Sequence, residues 1–77
     1  MAISREVALD RLNSFAAQVE MHLEKLASEP NSQPTSHWRS ELRHFLHEME
    51  RMLPHVGRRT ATQWTNRIDA YKRTLGE

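Results

Sequence analysis

Leu9, Leu12, Phe15, Ala16, Val19, Leu23 and Leu26 return at steps of three and four residues. At about 100° per residue they share a sector about 120° wide, the width of the buried stripe of an amphipathic helix. A stripe of this kind needs an apolar surface to lie against, and the chain supplies two more. Trp38, Leu42, Phe45, Leu46, Met49, Met52 and Leu53 fall in one sector of a second segment. Ala61, Trp64, Ile68, Tyr71 and Leu75 follow in strict three–four alternation, a narrower stripe like a coiled-coil seam. No segment alternates with the period of a strand.

The joints are equally readable. Ser4 is placed to cap the first helix, with Glu6 in its first turn facing the positive end of the helix dipole. The stretch SEPNSQPTS, residues 28–36, carries two prolines and a Ser/Asn cluster and predicts a loop. Thr35 or Ser36 can cap the second helix. Pro54 must end or kink it, because proline lacks an amide hydrogen and its ring clashes with the preceding turn. PHVGRR, residues 54–59, predicts a turn with Gly57 at positive φ. TATQ, Thr60 to Gln63, fits a capping box, and Gly76 is a natural stop. The expectation is an all-α fold, a small three-helix bundle with helices at about 4–28, 36–53 and 60–75, forming a single domain over residues 1–77.

Size limits what this bundle can do. A chain of 77 residues buries roughly 60–65% of the surface its unfolded form exposes. Its core supplies a margin of about 3–5 kcal/mol. There is no cysteine, so neither disulfides nor thiolate metal sites can add to it. The first helix, at roughly 37 Å, is longer than the other two and is expected to overhang them. A second copy of the chain would cover that end, so the bundle is a candidate for homodimerisation. Ile3, Val7 and Met21 lie outside the main stripe and mark a second contact surface.

Eleven basic residues nearly balance ten acidic ones. Residues 1–29 hold three basic and five acidic side chains, and residues 54–77 hold five and two. A dedicated nucleic-acid binder shows a stronger bias. No apolar run approaches the ~18 residues of a membrane span, and the N-terminus has no apolar signal-like region. A cytoplasmic location is expected.

Four of the five histidines lie between His37 and His55. His37, Glu41, His44 and Glu48 form one row on the second helix, and Glu41-x-x-His44 has the spacing used in di-iron bundles. Such a site needs carboxylates aimed inward from several helices, and the inward positions of the first and third are apolar. The zinc-protease order His-Glu-x-x-His is absent. The row reads as a solvated edge, with no metal or other cofactor. Glu41, Glu48 and Glu50 favour the charged imidazoles nearby.

Catalysis finds little footing. There is no cysteine nucleophile, and two glycines make no phosphate loop. The expectation is a non-enzymatic protein that binds a protein partner through the second helix, with His37, Arg39, Arg43, His44, His47 and Arg51 as contact residues. Small helical inhibitors carried by phages or mobile elements, including those of the anti-CRISPR kind, share this general size and architecture. The alternative is a nucleic-acid-associated module in which Arg58, Arg59, Arg67, Lys72 and Arg73 surround Trp64 and Tyr71 for stacking and phosphate contact. Against it, the two aromatics share the stripe of Ile68 and Leu75 and read as core. A structural or assembly subunit is the third reading.

Overall fold

The computed structural model describes residues 3–28 and 35–76. Helices α1 (Arg5–Ser28), α2 (Thr35–Met52) and α3 (Arg58–Leu75) follow in order, with a 3-10 turn, Leu53–His55, between the last two. No strand occurs among the described residues. The expected all-α, three-helix fold is the one observed.

Ser4 caps α1 as expected. Its hydroxyl accepts from the Val7 amide at 3.2 Å, and its carbonyl accepts from Ala8 at 2.9 Å. Ser28 and residues 35–36 are helical, so the joint is shorter than the nine residues expected. Residues 29–34 lie outside the described residues, as does any capping by the Thr35 or Ser36 side chain. Pro54 acts as its chemistry requires: the α-helix ends at Met52 and the proline sits in the tighter 3-10 turn.

The start of α3 corrects the sequence reading. The helix begins at Arg58, two residues early, and no side chain caps it, so the Thr60–Gln63 capping box is not formed. Gly57 makes the difference. With φ 83° and ψ 158° it occupies a region essentially closed to other residues. That conformation swings the chain straight into α3, and the Gly57 carbonyl accepts from the Ala61 amide at 2.9 Å. Arg58 and Arg59 therefore belong to the first helical turn and not to the connecting turn. Gly76 closes the other end at φ 89°, its amide bonding the carbonyls of Lys72 and Arg73.

The core follows the three stripes. Ala8, Leu12, Ala16 and Val19 of α1 meet Leu42, Leu46, Met49 and Met52 of α2, and Trp64, Ile68 and Leu75 of α3. Each large apolar side chain buried here contributes about 1.5–3 kcal/mol before entropy is counted. Val56 is fully buried too, although it follows Pro54 and belongs to no stripe. It anchors the turn that reverses the chain. Contacts are most extensive between α1 and α2, and α3 closes over both.

Among the described residues the apolar overhang expected of α1 is not found. Leu23 and Leu26 pack against the core, as does Ile3. The Lys25 ammonium lies 5.9 Å from the Trp38 ring centroid, near the start of α2. Among the described residues the exposed large apolar side chains are Val7, at 42%, and Met21, at 49%. Among the described residues no helix is long and apolar enough to cross a membrane.

Candidate functional site

Two sides of α2 are tied to neighbouring helices, and a third faces outward. The side towards α1 is built on a histidine that the sequence reading passed over. His22 is 8% exposed. Its Nδ1 lies 2.8 Å from the Gln18 carbonyl one turn back, and its Nε2 lies 2.5 Å from Glu41 Oε2 on α2. The other oxygen of the same carboxylate, Oε1, lies 2.8 Å from Nε2 of His37, four residues earlier on α2. Phe45 stands edge-on to the His22 ring at 5.4 Å and packs on Phe15 at 5.9 Å. The hydrogen bond from His22 holds the Glu41 carboxyl below its ordinary range, against the opposing pull of desolvation, and the nearby His37 adds to it.

The row His37–Glu41–His44–Glu48 is therefore not one solvated edge. Glu41 is half-buried between two imidazoles, and Glu48 pairs with Arg51 at 3.3 Å. His37 remains 70% exposed. No three His, Asp or Glu side chains among the described residues are placed to share a metal ion. The sequence did carry a signal for His22. Ala8, Leu12, Phe15, Val19, His22 and Leu26 step by 4-3-4-3-4, so this histidine occupies an inward slot of the stripe.

The side towards α3 is held differently. Arg39 Nη1 donates to the Leu75 carbonyl at 2.8 Å, satisfying an orphan acceptor at the end of α3. Arg39, one of the expected docking residues, thus has its guanidinium at the C-terminal end of α3. Lys72 Nζ pairs with Glu50 Oε1 at 2.8 Å. Beside this pair an open groove of about 270 Å³ is lined by Arg43, Leu46, His47, Glu50 and Lys72.

A third cluster joins α1 to α3. Glu20 Oε2 accepts from the Tyr71 hydroxyl at 2.5 Å and from Arg67 Nη2 at 3.1 Å. Arg67 lies over the Trp64 ring at 4.4 Å from its centroid, and donates to the Tyr71 oxygen at 2.9 Å. The Tyr71 hydrogen bond holds the Glu20 carboxyl below its ordinary range. Burial, then the bond to Glu20, pushes the Tyr71 hydroxyl up.

These placements sort the expected contact residues. Arg43 and His47 meet in the groove, while His44 and Arg51 are exposed on α2 and His37 and Arg39 serve the two flanks. The basic set on α3 is not brought together. Arg67 is paired with Glu20, Lys72 with Glu50, and Trp64 is buried. Arg58, Arg59 and Arg73 are exposed. Among the described residues no buried side-chain polar atom lacks a partner. Compared with models of protein families, with curated proteins and with solved structures, the chain matches none.

Proposed function

We propose that the chain is a non-catalytic helical binding module that docks a protein partner on the α2–α3 groove and the outward side of α2 beside it. The groove is the observation that carries this reading. Arg43, His47 and Lys72 surround it with Leu46 among its lining, and Glu50 is the one carboxylate in that lining. With Lys72 paired to Glu50, the lining as a whole stays net cationic beside Leu46, which complements an acidic side chain flanked by apolar surface. Arginine beside apolar area is favoured at interfaces.

A small inhibitor that blocks a larger complex, of the kind phages and mobile elements carry, could act through such a face by presenting a preformed helix. Nucleic-acid binding draws less support, because the ring that would stack on a base is interior and two of the five cations already hold carboxylates. The test is capture from the native host by the wild-type chain and by the double reversal Arg43→Glu, His47→Glu. A partner held by the first and lost by the second supports the reading. Equal capture by both places the interface elsewhere. Loss on reversing Arg58, Arg59 and Arg73 to Glu, with nuclease sensitivity, would favour nucleic acid instead.

A further inference from the structure

We propose that His22 is a proton-dependent latch between α1 and α2, closed by the doubly protonated imidazolium and weakened when the ring loses a proton. The inference rests on what the two ring nitrogens face. Nδ1 lies 2.8 Å from a backbone carbonyl, that of Gln18. Nε2 lies 2.5 Å from a carboxylate oxygen of Glu41. A carbonyl oxygen only accepts, and so does an ionised carboxylate. A neutral imidazole has one donor and one acceptor, so either tautomer leaves one of these contacts with two acceptors and no hydrogen. Only the imidazolium satisfies both.

The surroundings fit a cation in this slot. From α2 the ring faces Glu41, and through the second carboxylate oxygen His37; the Phe45 ring beside it is uncharged. From α1 it faces the Gln18 carbonyl, while Lys25, one turn on, lies near Trp38. Among the described residues no hydrogen bond or ion pair joins the ring to α3. Glu41 titrates below its ordinary range, so it stays ionised throughout the pH range in which imidazoles change charge.

The sign follows from linkage. The folded chain offers two acceptors to the imidazolium, whereas the unfolded chain offers water to either form. The imidazolium therefore gains two contacts on folding that a neutral ring cannot both make, and the stabilisation they supply is lost when the ring gives up a proton at higher pH. The α1–α2 pairing is the most extensive in the molecule, so the latch tightens the main seam as the surroundings acidify from alkaline pH.

The test uses Glu41→Gln, which keeps the shape of the side chain and removes its charge. A glutamine amide donates to a neutral Nε2 while Nδ1–H still donates to Gln18, so a neutral ring is satisfied in this variant. The melting temperature is followed from pH 5.5 to 8.5 for wild type, Glu41→Gln and His37→Gln. Wild type is expected to lose about 4 °C more than Glu41→Gln over this range, the shift that about 1 kcal/mol makes in a chain this small. His37→Gln is expected to keep the wild-type dependence, since the exposed ring on the other oxygen is not the latch. Long-range proton–nitrogen spectra of the ring supply an independent readout: the change from two protonated nitrogens to one should coincide with the fall in melting temperature. Parallel pH profiles for wild type and Glu41→Gln would overturn the proposal. So would loss of the dependence in His37→Gln, or a His22 ring already singly protonated at pH 5.5.

Discussion

The two flanks of α2 are held by opposite means. Towards α1 an imidazole that is almost fully buried meets a half-buried carboxylate over a pair of phenylalanine rings. Towards α3 the polar contacts sit at the rim, Lys72 on Glu50 and Arg39 on the Leu75 carbonyl, with an open groove beside them. One helix thus has a sealed flank and a wet one. Polar contacts shielded from water fix geometry, whereas exposed ion pairs contribute little to stability. The sealed flank has the build of a structural joint. The wet flank can exchange its contacts for those of a partner.

The largest effect is expected from the core beneath both flanks. Leu42 is fully buried, and Leu42→Ala should cost about 2–5 kcal/mol, which approaches or exceeds the whole margin of a chain this size. Urea denaturation should show a population unfolded without denaturant. A loss under 1 kcal/mol would mean that the apolar stripes do not meet as described.

Gly57→Ala probes the turn that delivers α3. Nothing lies within 4 Å of the added Cβ, so any cost comes from the backbone alone. The positive φ predicts a loss of about 1–3 kcal/mol. No change on calorimetry would show that α3 can start in another way, with Thr60 as cap.

Acid acts next, on two carboxylates that tie α1 to its neighbours, Glu41 to α2 and Glu20 to α3. The Glu41 and Glu20 carboxyls both titrate below their ordinary value of 4.5. Each therefore adds stability that is present above that value and is lost as pH falls through its folded-state titration. The melting temperature should drop between about pH 5 and 3, and Glu20→Gln or Glu41→Gln should each flatten part of the drop. An acid profile the same in both variants as in wild type would remove these two carboxylates from the account.

The smallest effect is expected on the wet flank. Glu50 and Lys72 are each about two-fifths exposed, and Glu50→Gln should change stability by less than about 1 kcal/mol. A larger loss would make this flank a structural joint as well and weaken the case for docking there.

Much of the fold was legible because apolar spacing and turn chemistry are local properties. Ser4, Pro54, Gly57 and Gly76 all act as their residue types dictate. The errors have physical sources. The Thr60–Gln63 pattern is a valid cap, but Gly57 starts the helix before the cap is needed. Val56 follows a proline that interrupts the periodicity, so no stripe reaches it, yet the reversing chain drives it inward. His22 reads as polar by residue type, although its spacing places it in the inward stripe. Its pairing with Glu41, 19 residues away, depends on how α1 and α2 pack and has no local sequence signal. The same holds for Glu20 with Tyr71. The contact residues expected on α2 share one sequence stretch, and packing divides them among two joints and an exposed side.

The contrast between the flanks is tested most directly by two double-mutant cycles run under the same conditions at pH 6, one on His22 and Glu41, the other on Lys72 and Glu50, each read by equilibrium denaturation. The expected result is a clear favourable coupling for the first pair and none resolvable for the second. Equal couplings, or a larger one for Lys72 and Glu50, would contradict the division of α2 into a sealed joint and an open face.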